Sequence, residues 1–143
     1  MKLFLFQFNN TMPTIFSKII KGEIPSYKIV ENEDFFAFLD INPLKEGHTL
    51  VIPKKETDYI FDLEDVNLSA MILFSKKIAL AIKSVIPCNR IAVVILGLEV
   101  PHAHIHLIPM DTMEDVNFKN KKLKLSPEEF KAIAEKITSN IKL

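Results

Sequence analysis

The fold is decided by the stretch Val100-Pro101-His102-Ala103-His104-Ile105-His106-Leu107-Ile108-Pro109, which holds three of the chain's four histidines at alternate positions. Successive side chains of a β-strand point to opposite faces of a sheet. As a strand, the stretch would place His102, His104 and His106 on one face and its apolar residues on the other, against a core. A helix would scatter the imidazoles around its axis, and the flanking prolines suit a short strand better than a helix interior. We predict a strand whose row of imidazoles forms the active site.

The composition is that of one globular domain in a reducing compartment. A chain of 143 residues is long enough to bury a core without disulfides or metals. It has 18 acidic and 18 basic residues, and this balance argues against a broad basic surface for nucleic acids. The single Cys88 cannot form an internal disulfide, and no Cys-x-x-Cys pair exists to hold a structural zinc. We therefore expect a cytoplasmic protein.

The first residues are expected to lie outside the folded domain. Residues 1–10 contain one lysine and an apolar run interrupted by Gln7, without a small-residue cleavage site after them. They resemble a signal peptide only superficially and are too short to span a membrane. We predict a flexible tail over residues 1–12, a single domain over residues 13–143, and no membrane partner.

Local patterns predict the remaining elements. Thr14 can cap a short helix that Gly22 ends, apolar residues at helical spacing predict a long helix, and Ser126 followed by proline and glutamate begins a third. The predicted helices cover residues 15–21, 65–86 and 126–142, and the other strands cover 26–30, 35–39, 48–53 and 90–96. The last of these is almost continuously apolar, which predicts a strand buried inside the sheet. Short connections indicate an antiparallel meander with the long helix on the face opposite the imidazoles, which is an α+β fold.

Aligned imidazoles have two plausible chemical uses here. Packing alone does not explain them, because a buried imidazole needs hydrogen-bond partners that valine or isoleucine does not. They could bind zinc together with His48, although Glu99 is the only carboxylate close to them in the sequence. A neutral imidazole can also attack phosphorus covalently, while its neighbours fix the tautomer or donate protons. We favour the nucleophile and keep the zinc-dependent hydrolase as an alternative.

The same stretch resembles the signature of the histidine triad (HIT) family, in which three histidines alternate with apolar residues. The resemblance covers about residues 14–109 and extends to segments typical of the Hint branch of nucleotide hydrolases. These segments are Thr14-Ile15-Phe16, Glu23-Ile24-Pro25, Phe38-Leu39-Asp40-Ile41-Asn42-Pro43 and Gly47-His48-Thr49-Leu50-Val51-Ile52-Pro53-Lys54-Lys55. The resemblance implies a HIT-like α+β fold with about five antiparallel strands, one long helix and a short N-terminal helix, to which this chain adds a C-terminal helix.

The resemblance also implies a hydrolase that acts at the α-phosphate of purine nucleotide conjugates, of the phosphoramidate, acyl or dinucleotide type. His104 would form a nucleotidyl-histidine, from which water would release a nucleoside monophosphate. His102 and His106 would orient His104 and contact phosphate, and His48 would complete the cluster. Asp40 would bind the ribose hydroxyls. The slot for the base would be apolar and would comprise Ile15, Phe16, Ile19, Ile24, Phe38 and Ile41.

The resemblance further implies a homodimer with a continuous ten-stranded sheet. We also expect that the enzyme requires no cofactor. The chain departs from the family just before the triad, where members commonly carry phosphate-binding Gln-Ser or Gln-Thr and, on the preceding strand, an asparagine. Leu98 and Glu99 stand there instead, and residues 91–96 include no asparagine. Leucine cannot bond a phosphate, and glutamate would repel one. A nucleotide-binding module with little turnover is therefore another alternative.

Overall fold

The chain forms a five-stranded antiparallel sheet covered by helices in the computed structural model, which describes residues 12–142. The helices are α1 (Ile15–Ile20), α2 (Asp65–Val85) and α3 (Pro127–Thr138), and the strands are β1 (Lys28–Glu31), β2 (Phe35–Leu39), β3 (Thr49–Pro53), β4 (Arg90–Val94) and β5 (Ile105–Met110). Two short 3-10 helices span Ile60–Asp62 and Met113–Val116. The predicted flexible tail lies, apart from Met12, outside the described residues. Within the described range, no helix is long and apolar enough to cross a membrane.

The strand order is β1-β2-β3-β5-β4, which corrects two predictions. The sheet is antiparallel but is not a simple meander, because α2 carries the chain past β3 so that β5 pairs with β3 and β4 with the outer side of β5. The predicted burial of residues 90–96 inside the sheet is also wrong. β4 lies at an edge, where Val93 is 56% exposed and Leu96, just beyond the strand, is 50% exposed.

Both faces of the central strands are covered, which explains why β2 and β3 are buried at every position. On one face, Phe35 and Val51 pack with α2 and α3 in the larger apolar cluster. On the other face, Phe36, Phe38 and Leu50 pack with Phe16 of α1 in a smaller cluster. Alternate residues of each strand thus enter different clusters, as the pleat requires.

The predicted histidine strand is shorter than the sequence indicated. β5 begins at Ile105, so His102 and His104 precede it, and Pro109 lies inside it. The reason is that the Ala103 amide donates to the Thr57 carbonyl at 2.6 Å, in the loop after β3, and the ladder with β3 starts only at Ile105. Ile105 and Leu107 nevertheless join the α2 side of the core. The prediction that the long helix covers the face opposite the imidazoles is confirmed.

Helix α3 begins as predicted and ends earlier. The Ser126 hydroxyl accepts from the Glu129 amide, and the Glu129 carboxylate accepts from the Ser126 amide, which forms a capping box. The helix ends at Thr138 rather than at residue 142, because the next amides bond three residues back, from Asn140 to Ile137 and from Ile141 to Thr138. This tighter pattern is common in the last turn of a helix.

Gly47 and Gly22 permit a matched test of backbone strain and close packing, because both have a positive φ but only Gly47 has close neighbours. Gly47, just before β3, has φ +91°, and a Cβ there would lie 3.1 Å from Ile86 Cγ1. Gly22 has φ +78° and no atom within 4 Å of the same position. Because an L-residue is strained at positive φ, we expect Gly22→Ala to lower the free energy of unfolding by about 1 kcal/mol and Gly47→Ala by about 2–3 kcal/mol.

Urea unfolding of the two variants measures this difference. The Gly22 variant is the control, since it carries the backbone strain without the contact. Equal losses of unfolding free energy in the two variants would show that the close contact between a Cβ at residue 47 and Ile86 contributes nothing.

Candidate active site

A cavity of about 380 Å³ opens between α1, the end of β2 and the loop over residues 97–100. Its walls are mainly apolar and meet the triad at His104 and His106. The structure brings all six residues of the predicted base slot to this cavity: Ile15, Phe16, Ile19, Ile24, Phe38 and Ile41. A pocket with apolar walls and a few polar groups at one end is typical of a small-molecule site.

Helix α1 supplies the wall nearest the histidines. It begins at Ile15, and Thr14 before it is the N-cap, whose side chain accepts from the Ser17 amide. The Phe16 ring is buried and meets both imidazoles edge-on, with ring centroids 5.6 Å from His102 and 5.1 Å from His104. The short helix therefore packs directly against the catalytic candidates.

His104 has a fixed tautomer. Its Nδ1 lies 2.8 Å from the carbonyl oxygen of His102, and since a carbonyl can only accept, Nδ1 must carry the proton. The ring lines the cavity and is 8% exposed. In the neutral form, Nε2 then holds the free lone pair, which is the state that a nucleophile needs.

His48 and His106 are joined by hydrogen bonds in which the donor and the acceptor are both defined. The Leu44 amide donates to His48 Nδ1 at 3.0 Å, so the neutral ring carries its proton on Nε2. That N–H donates to His106 Nδ1 at 2.9 Å. Neutral His106 consequently carries its own proton on Nε2. His106 lines the cavity, whereas His48 is 1% exposed and lies behind it.

Burial keeps this pair neutral. Burial, with smaller contributions from the neighbouring His106 and from Lys122, lowers the pKa of His48 to about 3. Burial likewise lowers the pKa of His106 to about 4, with a smaller contribution from His104. At neutral pH the pair therefore offers one donor N–H at the cavity without a positive charge.

His102 does not line the cavity. Its ring is 0% exposed, and its Nε2 donates to the Pro53 carbonyl at 2.8 Å while its Nδ1 lies 2.7 Å from the Thr14 hydroxyl. This placement does not suit the predicted contact with phosphate. It does suit the predicted orienting function, because the main chain of His102 holds the His104 ring.

Asp40 lies on the cavity wall, as the ribose-binding prediction requires. Its Oδ1 accepts from the Asn42 amide at 2.8 Å, and its Oδ2 is 3.6 Å from His48 Nε2. Burial raises the pKa of Asp40, and the hydrogen bond from Asn42 partly opposes that rise. The carboxylate is thus positioned by the loop after β2, beside the histidine cluster.

The loop before the triad borders the cavity with the residues that depart from the family pattern. Leu98 is 91% exposed, and Glu99 beside it is also exposed. Both line the cavity. Over the described part of the chain, no lysine or arginine belongs to the cavity lining. The hydrogen-bond donors among the lining side chains are therefore the imidazoles, Ser26 and Asn42.

Phe118 is a site residue that the sequence did not identify. Its ring lines the cavity and meets the His106 ring edge-on at 4.9 Å between centroids. It follows the 3-10 helix Met113–Val116, in the polar, lysine-rich stretch after β5. The available signal was a single aromatic residue among polar neighbours, since an isolated phenylalanine there is best explained by a packing partner. Leu50 and Leu96 of the lining were also not predicted.

Three side chains of the cluster could together hold a divalent metal ion. One donor atom each from Asp40, His48 and His106 lies within 4.8 Å of the others. Two imidazoles and one carboxylate with an open position are a donor set that suits zinc. His48 Nε2 and His106 Nδ1, however, share a proton in the hydrogen bond described above, and Nε2 is also the His48 nitrogen nearest Asp40, at 3.6 Å. A metal bound there would have to displace that proton.

Comparisons with known proteins agree with this geometry. A protein-family model described as the HIT domain matches residues 21–113. The chain is 39% identical over 135 residues to an uncharacterised HIT-like protein of Borreliella burgdorferi, covering 89% of this chain and 97% of that one. It is 39% identical over 137 residues to the adenosine 5'-monophosphoramidase of Schizosaccharomyces pombe, covering 92% and 100%.

Solved structures show the same fold. A crystal structure of a HIT-like protein from Bartonella henselae superposes with a TM-score of 0.77 at 33% sequence identity, covering 90% of this chain and 96% of that one. The five-stranded antiparallel sheet with three helices is therefore the fold of these proteins. The chain belongs to the histidine triad (HIT) family.

Proposed function

We propose that the protein is a nucleotide hydrolase that cleaves purine nucleotide conjugates at the α-phosphate and releases a nucleoside monophosphate. The observation that carries the proposal is the placement of His104. Its Nδ1 donates a hydrogen bond to a main-chain carbonyl, and its ring lines the cavity. Relatives named adenosine 5'-monophosphoramidases support phosphoramidates as the first substrates to test. Acyl and dinucleotide conjugates belong to the same proposed class.

The proposed reaction has two steps. His104 Nε2 attacks the α-phosphorus, and the bond from phosphorus to the leaving group breaks as the Nε2–P bond forms. The leaving group departs with the bonding electron pair and takes a proton from solvent. The Nε2–H of His106 donates to the phosphate, where it stabilises developing negative charge without a charged residue. Water then attacks the phosphorus of the nucleotidyl-histidine, and the Nε2–P bond breaks with its electron pair returning to Nε2. The proton of the attacking water passes to solvent, and the nucleoside monophosphate is released.

The proposed nucleotide pose follows the chemistry of the cavity walls. The base lies among the apolar side chains of α1 and β2, where it removes apolar surface from water. The Asp40 carboxylate accepts from the ribose hydroxyls, because among residues 12–142 its Oδ2 has no hydrogen-bond donor and lies 3.6 Å from His48 Nε2. His102 holds the His104 ring through its main-chain carbonyl, and His48 fixes the tautomer of His106 by donating to it.

We expect His104→Ala to lower the hydrolysis of adenosine phosphoramidate by at least about a thousandfold, as is usual when a covalent nucleophile is removed. AMP binding should persist, since the base and ribose contacts remain. Product release followed by chromatography, together with calorimetric titration of AMP, measures both properties. Wild-type protein that binds AMP tightly without turnover would instead identify a nucleotide-binding module.

A zinc-dependent hydrolase is the second candidate, and the donor set of Asp40, His48 and His106 favours it. We propose that no cofactor is required, because the hydrogen bond from His104 Nδ1 to the His102 carbonyl leaves Nε2 as the attacking nitrogen, and His106 supplies a donor N–H. The same assay includes a chelator-treated sample. Full activity after chelation supports the metal-free mechanism, and activity that is lost and restored by zinc overturns it.

The low pKa values of His48 and His106 predict how stability depends on pH. The unfolded chain takes up protons on both imidazoles near pH 6.5, whereas the folded chain does so only near 3 and 4. Between these values the unfolded state binds more protons, so the free energy of unfolding falls as the pH falls, by up to about 1.4 kcal/mol per pH unit for each ring. Near the acidic end, the raised pKa of Asp40 opposes this trend.

Urea unfolding at pH 7.5 and 5.5 checks the slope, and NMR titration of the imidazole carbons checks its cause. The signals of His48 and His106 should stay constant between pH 8 and 5.5. Midpoints near 6.5 for these two rings would contradict the assignment of a neutral pair.

The protein is also proposed to be a cytoplasmic homodimer. The edge strand β4 and the outer side of α2 expose large apolar side chains, among them Val93, Leu73 and Leu80, which are 56%, 60% and 62% exposed. An apolar edge strand readily pairs with another chain. Pairing through β4 would produce the continuous ten-stranded sheet. The single, unpaired Cys88 is compatible with a reducing cytoplasm.

We expect a dimer in light scattering at micromolar concentration and a monomer for Val93→Lys, because a charge on the edge strand opposes pairing. Met113→Lys is the matched control, since Met113 is 86% exposed and lies in the 3-10 helix after β5. A wild-type monomer, or equal dissociation in both variants, would overturn this interface.

A further inference from the structure

A polar cluster lies behind the triad, on the side away from the cavity. We call it the Thr14 cluster, and it consists of Thr14, Ser17, Glu56 and His102. The Glu56 Oε1 accepts from the Thr14 amide at 2.8 Å and from the Ser17 hydroxyl at 2.9 Å. The Thr14 hydroxyl lies 2.7 Å from His102 Nδ1, a contact between residues 88 positions apart in the chain. The cluster thus joins the start of α1, the loop after β3 and the triad.

The directions of these hydrogen bonds are determined by chemistry. The Pro53 carbonyl can only accept, so His102 carries a proton on Nε2. Burial lowers the pKa of His102, although the bond to Pro53 and the charge of Glu56 partly oppose this. In the neutral ring, Nδ1 is therefore an acceptor and the Thr14 hydroxyl is its donor. The same hydroxyl oxygen accepts from the Ser17 amide at 3.0 Å, so both of its roles are used.

The ring of His102 is coupled to His104 through one peptide unit. The carbonyl of His102 accepts from His104 Nδ1, and the following Ala103 amide donates to Thr57 at 2.6 Å. With the ring fixed by Thr14 and Pro53, this peptide has little freedom to turn. Without the hydroxyl, His102 Nδ1 would be buried with no donor, a state that structures avoid by rotating the ring or binding a proton. Either change would disturb the carbonyl that aims His104.

We propose that Thr14 is a positioning residue for the reaction: its hydroxyl fixes the Nε2–H tautomer of His102 and thereby the orientation of the His104 nucleophile. The proposal rests on the hydrolase function described above. It also connects the base to the reaction, because Thr14 caps α1, which carries Ile15 and Phe16 of the cavity wall. A nucleotide that orders α1 would thus order the histidine that attacks it.

The test compares three variants of Thr14. Thr14→Val removes the donor and the helix cap, Thr14→Asp keeps a cap acceptor but has no donor, and Thr14→Ser keeps both. We expect kcat for adenosine phosphoramidate to fall about tenfold or more in the Val and Asp variants, as expected for a lost buried hydrogen bond, with AMP affinity within about threefold of wild type. Thr14→Ser should retain kcat within about threefold.

Thr138→Val is the matched control. Thr138 is the last residue of α3, and its hydroxyl donates to the Ile29 carbonyl at 2.9 Å. Neither residue lines the cavity. This variant loses one hydroxyl hydrogen bond and should show wild-type kcat with a lower melting temperature. If the Thr14 variants lose melting temperature but keep kcat, Thr14 is only structural and the proposal is overturned.

A measurement that needs no turnover separates this proposal from the proposed function. In ¹⁵N NMR spectra of the wild-type protein, His102 should be protonated at Nε2 and unprotonated at Nδ1 at pH 7, and Thr14→Asp should convert it to the doubly protonated ring. A wild-type Nδ1–H signal overturns the proposal even if Thr14→Val does not fold. If the tautomer is as expected but the wild-type protein hydrolyses no nucleotide conjugate, the proposed hydrolase function is wrong. The proposal that Thr14 positions His104 for that reaction is then overturned with it.

Discussion

The hydrogen bond from His104 Nδ1 to the carbonyl of His102 determines what this site can do. It exists only because the chain is not yet in the sheet at these residues. In a regular ladder the carbonyl of His102 would serve a neighbouring strand. Here the ladder with β3 begins at Ile105, and the preceding peptide is held by the loop after β3 instead. The break in regular pairing leaves a main-chain acceptor for the imidazole.

The second constraint is the neutral state of the His48 and His106 rings. His48 and His106 are buried so deeply that desolvation outweighs the gain from protonation. A chain of donors that starts at the Leu44 amide then gives each ring one defined tautomer. Two sets of hydrogen bonds, one through the main chain of His102 and one through His48, thus present one lone pair and one N–H to the same cavity.

The sequence predicted the periodic parts of the fold well and the irregular parts poorly. Strand β2 and helix α2 were predicted almost to the residue, because alternation and helical spacing reflect which faces are buried. The burial of β4 was predicted wrongly, since an apolar run cannot distinguish a central strand from an apolar edge strand. The triad was visible as a pattern, but the place where its strand begins was not. That boundary depends on the amide of Ala103 finding a partner 46 positions earlier in the chain, at Thr57.

The departure at Leu98 and Glu99 acquires a physical meaning once the cavity is known. Both residues border the cavity, and its lining within residues 12–142 includes no lysine or arginine. Lys122, which lies outside the lining, slightly lowers the pKa of Asp40. A dinucleotide polyphosphate would bring several negative charges close to Glu99 and Asp40. A phosphoramidate brings one phosphate, and an amine leaving group can carry positive charge. Within the proposed substrate class, Coulomb repulsion therefore favours phosphoramidates over polyphosphates, and it does so through residues that the triad pattern alone does not include.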